Sequence, residues 1–472
     1  MKKTKIICTV GPASNNLATL KKMAHAGMNV VRINMSHCNH TFAQGIVDNV
    51  VKLRQQLSKP IAIMVDTKGL EIRIKTFKNN CVELVKGQTF TLTTREVEGD
   101  NTQVSLAYKN LPNQVAPNQK IYLNNAMVVL KIKTVTPTDI VCKVIFGGVV
   151  SSNKSLIIPN VVPIGNFLSQ ADKQDLLFAI KNKANFIAAS FVSTPENVLE
   201  MRKFLDANGG NQIGIIAKIE NHDGVKNLKK IVQVADGVIV ARGDLGVEIA
   251  LEKLPAIQKQ AIFMCNQHGK IGIVATEMLE SMTHSIRPTR AEVSDVANAV
   301  YQLASATMLS GETAVGVDPA RSTSVMNKIG IEIEKHIDYN QQFSTTTHPN
   351  SCVTDAVSKS SCTNAITLGA KAIVVFTHSG ESARLLAKYR TSIPIIAVTP
   401  YEHVYHSLAL VWGVTPFCVQ ESELDSQSKF HEIAKILAKK FHFAKTGDLI
   451  IIQHGKPNVK GSTDTLKVIY CD

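Results

Sequence analysis

Aromatic residues make up only 5% of this 472-residue chain, with a single tryptophan. That is poor equipment for stacking on bases, and no helix-turn-helix, zinc-finger or RNP-like pattern is present. The net charge of +14, from 52 basic and 38 acidic residues, therefore points to a solvated surface and small-anion sites rather than to nucleic acid. Nine cysteines lie scattered from Cys8 to Cys471. Their odd count and the lack of any CxxC argue against a zinc site or a disulfide frame, and for reduced thiols in the cytoplasm. The opening MKKTKIICTVGPAS lacks the apolar core of a signal peptide, and no run approaches membrane-span length. Neither GxxxxGK[ST] nor GxGxxG occurs, so those glycine loops hold no phosphate here. What the chain does have is apolar content: 44% hydrophobic against 19% charged residues. That implies well-buried cores, and the length allows two or three domains.

Apolar runs alternate with helical patterns in eight units. The runs are KIICTV (5–10), NVVRIN (29–34), IAIMVD (61–66), FIAASFV (186–192), IGIIAKI (213–219), GVIVAR (237–242), IGIVAT (271–276) and ATMLS (306–310). Buried parallel strands are covered on both faces and so read as continuous apolar stretches. Eight such units predict an α/β fold, a (β/α)8 TIM barrel with its chemistry at the carboxyl ends of the strands. Polar residues gather at those ends: Arg32, Asn34 and Ser36; Asp66 and Thr67; Lys218 and Glu220; Arg242 and Asp244; Thr276 and Glu277; Ser310 and Glu312.

Between the third and fourth runs the pattern changes to short β segments and turns, such as CVELVKGQTFTLTT and DIVCKVIFGGVV. This predicts an inserted all-β lid domain beside the site. A polar stretch, IDYNQQFSTTTHPNS (337–351), reads as a linker, and AIVVFT (372–377), PIIAVT (394–399), DLIIIQ (448–453) and LKVIYC (466–471) as a separate α/β domain. The expected division is barrel 1–72 and 168–338, lid 73–167 and C-terminal regulatory domain 339–472.

Lys218 and Glu220, two residues apart, share one side of a strand end, and the next unit delivers Asp244. Two carboxylates from neighbouring strand ends can share a hard divalent cation, with a lysine beside them for an anionic substrate. That is the equipment of metal-assisted phosphoryl or enolate chemistry.

Eight segments in order carry a resemblance to the pyruvate kinase family: TKIICTVGPAS (4–14), AGMNVVRINMSH (26–37), DTKGLEIR (66–73), AKIENHDGV (217–225), VARGDLGVEI (240–249), VATEMLESM (274–282), RPTRAEVSDVANAV (287–300) and MLSGETA (308–314). The resemblance implies transfer of a phosphoryl group from phosphoenolpyruvate to ADP, giving ATP and pyruvate. It implies Glu220 and Asp244 as ligands of Mg2+ or Mn2+, and Lys218 against the transferring phosphoryl group. Arg32, Gly243, Asp244 and Thr276 would hold phosphoenolpyruvate, with Thr276 and Ser310 organising protonation of the enolate. Asn34, Ser36, Asp66 and Thr67 match a K+ site, and Glu71 stands where a glutamate accompanies potassium dependence. Asn34, His37, Arg73 and Lys154 would meet the nucleotide. Relatives are homotetramers, with RPTRAEVSD (287–295) resembling interface residues.

Departures are confined. Leu70 replaces a proline, Glu277 a glutamine, Asn124-Asn125-Ala126 an Asp-Asp-Gly, and NKSLIIPN (153–160) a Lys-Gly-Val-Asn-Leu-Pro-Gly pattern. The loop THSGESAR (377–384) resembles an effector-phosphate loop, with Thr377, Ser379 and Ser382 as candidates. Glu381 stands where some sugar-bisphosphate-activated members carry lysine, and Lys456 and Lys460 could supply charge. Nothing follows Asp472, so an extra C-terminal domain is not expected. Two other readings stand beside the enzyme: a phosphoenolpyruvate-binding regulatory protein with impaired turnover, and a different barrel enzyme acting on pyruvate or its enolate.

Overall fold

In the computed structural model, the eight runs form strands β1 (Lys5–Thr9), β2 (Val30–Asn34), β3 (Ala62–Asp66), β4 (Phe186–Ala189), β5 (Gly214–Ile219), β6 (Gly237–Ala241), β7 (Ile271–Ala275) and β8 (Ala306–Leu309). They close into a barrel in which each strand pairs in parallel with its neighbours in sequence, β1 meeting β8. The structure describes residues 2–472 apart from Leu70, Asn125, Asn160, Val162, Pro163, 346–351, Asp425, Pro457, Asn458 and Lys460. The departures at Leu70 and Asn125, and the charge sought from Lys460, therefore lie outside the described residues.

Strand alternation explains why both faces are apolar. Ala62 and Met64 of β3 fill the barrel interior with Ile7, Ile216, Ile239, Ile273 and Met308. Ile63 and Val65 point the other way, into the helix-covered core. Each fully buried aliphatic side chain contributes about 1.5–3 kcal/mol, so polar groups are tolerated only at the strand ends.

The fourth run is shorter than its apolar letters suggest. β4 stops at Ala189, because Phe191 takes a left-handed backbone conformation with φ +55. The inserted unit is a six-stranded sheet running from Leu156–Ile157 at one edge to Gln103–Ser105 at the other. A two-stranded sheet, Cys81–Leu84 with Gly148–Ser151, accompanies it, and the unit has its own apolar core. Its tether to the barrel is built on Asp172. One carboxylate oxygen accepts the amides of Lys68 and Gly69 at 3.1 and 3.0 Å. The other completes a capping box with Ser169 at the start of the helix Gln170–Lys181. Gly69 has φ +68, and a Cβ there would stand 2.8 Å from the Phe191 ring, so only glycine fits the turn.

The C-terminal sheet orders its strands Val414–Cys418, Ile395–Thr399, Ile373–Phe376, Leu449–His454 and Thr465–Tyr470, the last antiparallel. The stretch 337–351, read as a linker, is helical in part: Tyr339–Thr345 forms a helix. Asp338 accepts the amides of Asn340 and Gln341 at its start, and Phe343 packs against Tyr389. Residues 346–351 lie outside the described residues. The C-terminal unit docks on the amino-terminal face of the barrel. His406 Nδ1 accepts the Ile61 amide at 3.3 Å, and Asn185 Nδ2 donates to the His403 carbonyl and to Ser407 Oγ at 3.3 and 3.2 Å.

Candidate active site

At the carboxyl ends of the strands, four charged side chains meet in a buried cluster. Arg32 lies in the middle of β2, two residues before its end, Asp66 ends β3, and Lys218 and Glu220 sit at the end of β5. Arg32 Nε donates to Asp66 Oδ2 at 2.6 Å, and a second guanidinium nitrogen pairs with the same oxygen. Lys218 Nζ lies 3.2 Å from Asp66 Oδ1, 2.9 Å from Glu220 Oε1 and 2.9 Å from Ser190 Oγ. Asp66 and Glu220 are 0% and 1% exposed, so these charges interact with little solvent screening.

Each charge state follows from those neighbours. Burial alone pulls Lys218 down, but Asp66 and Glu220 outweigh it and hold the ammonium above its ordinary value. Burial pushes Asp66 up, and Arg32 and Lys218 more than reverse it. Glu220 differs: burial raises it to about 7 against the pull of Lys218, and the nearby Asp244 charge adds to the rise. Burial raises Asp244 too, and the two carboxyl groups are close enough to hydrogen-bond. Two buried carboxylates in contact require a proton or a cation between them. Their hard oxygens fit a divalent cation.

Asp244 arrives by a route the strand pattern did not show. It lies in the first turn of the short helix Arg242–Glu248, directly after β6. Arg242 braces the neighbouring turn: its guanidinium donates to the carbonyls of Thr276 and Glu277 at 2.7 and 3.0 Å, and reaches Asp295 at 2.6 Å. Thr276 and Glu277 both take positive φ, +66 and +53, and this clamp holds them there. The Thr276 hydroxyl accepts the Gly243 amide at 2.7 Å and donates to the Ala275 carbonyl at 2.6 Å. The Glu277 side chain is exposed. Ser310 Oγ is buried with no hydrogen-bond partner among the described residues, while Glu312 locks the turn by accepting the amides of Ser310 and Leu279 at 2.7 and 3.0 Å.

The register of β2 on β3 sets Asn34 opposite Asp66. Asn34 Oδ1 accepts the Ser36 amide at 3.0 Å, and the Thr67 carbonyl accepts from Ser190 Oγ at 2.7 Å. Asn34, Asp66 and Thr67 thus stand together at neighbouring strand ends with the Ser36 backbone beside them, and their oxygens are of the hard type that a monovalent cation takes. Arg73 pairs with Glu71 and donates to the Asn153 carbonyl at 2.9 Å. Burial, then the charges of Arg73, Arg32 and Lys154, lower the pKa of His37, so His37, Arg73 and Lys154 border one electropositive mouth. In the lid turn Ala126 holds φ +64, a conformation that costs glycine nothing and alanine strain.

Three contributors escaped the strand-end reading. Ser190 bridges Lys218, Asp66 and Thr67; Thr9 Oγ1 accepts from Arg32 Nη1 at 2.8 Å; and the Phe191 amide donates to Glu220 Oε2 at 2.6 Å. Thr9 obeys the same rule as the rest, a polar residue where β1 ends, and that signal would have found it; Ser190 follows β4 but lies inside the apolar run 186–192. The effector-loop candidates lie elsewhere. Thr377, Ser379 and Ser382 line, with Lys456, a cavity of about 30 Å3. Thr377 Oγ1 accepts the Gly380 amide, and Ser382 Oγ bonds Thr463 Oγ1 at 2.8 Å.

Comparison with known proteins adds independent findings. The family model described as pyruvate kinase, barrel domain matches residues 1–323, and that described as pyruvate kinase, alpha/beta domain matches 355–469. The chain is 42% identical to a pyruvate kinase of Clostridium perfringens, over 99% of both chains. It is 40% identical to one of Geobacillus stearothermophilus, over 99% of this chain and 80% of that one. A crystal structure of a pyruvate kinase from Cryptosporidium parvum superposes with a TM-score of 0.93 at 34% identity, covering 100% of this chain and 96% of the other.

Proposed function

The chain belongs to the pyruvate kinase family, and from that premise we propose which residues perform the family's reaction. That reaction transfers the phosphoryl group of phosphoenolpyruvate to ADP and depends on a divalent cation and K+. The carrying observation is the Lys218 ammonium, buried among Asp66, Ser190 and Glu220 at 2.9–3.2 Å. Such a preorganised cation stabilises charge as the P–O bond to the enol breaks and a bond to the terminal ADP phosphate forms.

Glu220 and Asp244 would hold Mg2+ (or Mn2+), which would supply Lewis-acid stabilisation of the charge that develops during transfer. Arg32 meets the phosphate of phosphoenolpyruvate, and the Gly243 and Asp244 amides with Thr276 receive its carboxylate. Once the phosphoryl group has left, the enolate takes a proton at carbon, delivered through water ordered by Thr276 and Ser310. The unpartnered Ser310 hydroxyl supports that role. Asn34, Ser36, Asp66 and Thr67 hold K+, and Asn34, His37, Arg73 and Lys154 meet the nucleotide. Glu71 leaves the positive charge to be supplied by the ion. We further assign a cytoplasmic setting and a homotetramer, with Val293 and Tyr301 exposed on the helix Arg290–Tyr301 for subunit packing. No helix among the described residues is long and apolar enough to cross a membrane.

The test is pyruvate formation from phosphoenolpyruvate and ADP with Mg2+, with and without K+, beside Lys218→Met. Potassium-stimulated turnover that falls about 100- to 1,000-fold in the variant is expected. Turnover indifferent to K+ overturns the cation assignment, and a variant with full activity overturns Lys218.

A further inference from the structure

On the face of the barrel opposite the active site, the C-terminal unit roofs a cavity of about 1140 Å3. Its floor is built from the starts of the strands and the turns before them, its roof from residues 402–418 and 440–441. Six cationic side chains line it: Lys2, Lys5, Arg54, Lys59, Lys183 and Lys440. Among the described lining residues Glu402 is the one carboxylate, and its side chain is 83% exposed.

None of the six has a carboxylate of a described residue within ion-pair distance. Lys5 Nζ donates to the Val414 carbonyl at 2.7 Å and Lys59 Nζ to the Ala24 carbonyl at 2.9 Å. Arg54 is spent on the Ile61 carbonyl and Asn185 Oδ1. Lys2 Nζ is buried with no hydrogen-bond partner among the described residues. Glu334 stands near enough for its charge to favour the ammonium of Lys2 and Lys5, but it is one carboxylate, and its oxygens accept the amides of Lys3 and Thr4 at 2.7 Å each. Burial, then the charge of Lys5, lowers Lys2 to about 7, and burial lowers Lys5 to about 8. Natural proteins pair buried charges, because an uncompensated one is costly. Here six cationic side chains, against one lining carboxylate among the described residues, surround an open volume large enough for a metabolite.

We propose that this cavity binds an organic phosphate of at least two negative charges, gripped by Lys2, Lys5 and Lys59. Arg54 borders the site as a fourth charge, and Pro416 and Phe417 offer the organic part an apolar wall. The site is independent of the catalytic assignments, since it uses none of their residues.

The test is calorimetric titration of the full chain with inorganic pyrophosphate at pH 8 and matched ionic strength. Wild type, Lys2→Met/Lys59→Met and Lys218→Met are compared in two buffers of different ionisation enthalpy. The expected result is binding with proton uptake in wild type and Lys218→Met, weakened at least about tenfold in the double variant, one decade being about 1.4 kcal/mol. Pyruvate formation by the double variant stays within about twofold of wild type, because Lys2 and Lys59 lie at the far end of the barrel. Pyrophosphate raises the melting temperature of wild type and does not raise that of the double variant. Lys2→Met alone covers misfolding of the double variant. Binding that survives in the double variant but disappears in Lys218→Met overturns the proposal, as does an equal response to chloride or no binding at all.

Discussion

Ser190→Ala is the most informative single change, because it removes one atom that touches the cluster from the middle. Ser190 Oγ accepts from Lys218 Nζ at 2.9 Å and donates toward the Thr67 carbonyl at 2.7 Å, with Asp66 Oδ1 at 3.1 Å. A hydrogen bond to a charged group contributes about 1.5–3 kcal/mol. Lys218 keeps Asp66 and Glu220, so the ammonium stays charged and the chain stays folded. What it loses is the contact that fixes its position between them. If that position matters only as charge develops on the phosphoryl group, the loss falls on kcat, by about one to two decades. KM for phosphoenolpyruvate then moves less than about threefold. The assay is steady-state pyruvate formation over a phosphoenolpyruvate series at saturating ADP, Mg2+ and K+. Ser190→Thr, which keeps the hydroxyl, should recover most of the rate. A Ser190→Ala enzyme with kcat within about twofold of wild type and an unchanged melting temperature would refute the reasoning.

Asp172→Ala unties the lid. The amides of Lys68 and Gly69 lose their carboxylate, so their hydrogen exchange should speed up at least about tenfold, and KM for ADP should rise more than KM for phosphoenolpyruvate; unchanged exchange would show that the tether lies elsewhere. His406 is 4% exposed, and burial, aided by Arg54, depresses it to about 3. A base depressed in the folded state stabilises the fold above its unfolded value of 6.5 and loses that stability as pH falls toward 3, by about 1.4 kcal/mol per unit. Wild type should therefore lose more melting temperature between pH 6.5 and 5.0 than His406→Asn, which keeps an acceptor for the Ile61 amide; parallel losses would contradict it.

Much of this was legible in the chain. Period and apolar runs sufficed for the barrel strands, because parallel strands buried on both faces leave an unbroken apolar signature. The polar residues in the carboxyl-terminal halves of β2, β3 and β5 and just beyond led directly to Arg32, Asp66, Lys218 and Glu220. Ser190 stayed hidden inside FIAASFV, whose apolar letters read as strand to the end. The turn there is enforced by the positive φ of Phe191 and the approach of Gly69, both tertiary facts. The helix Tyr339–Thr345 was illegible for the opposite reason. Its letters are polar, and two aromatic side chains dock it: Phe343 against Tyr389 and Tyr339 against Trp412. The cavity at the far face is assembled from seven separate segments, and its lysines look, one by one, like ordinary surface charge.

The helix Glu402–Ser407 deserves a mechanical reading. Through His406 it holds the amide of Ile61, where β3 begins, and through the His403 carbonyl and Ser407 it holds Asn185, where β4 begins. Asp66 and Ser190 stand at the opposite ends of those same two strands. At about 3.3 Å per residue each strand is a push-rod of roughly 16 Å, stiff along its length and laterally locked to its neighbours. Two adjacent rods thus leave one helix and arrive on either side of one ammonium. A sub-ångström slide of that helix would change the gap in which Lys218 sits, with no loop required to carry the motion.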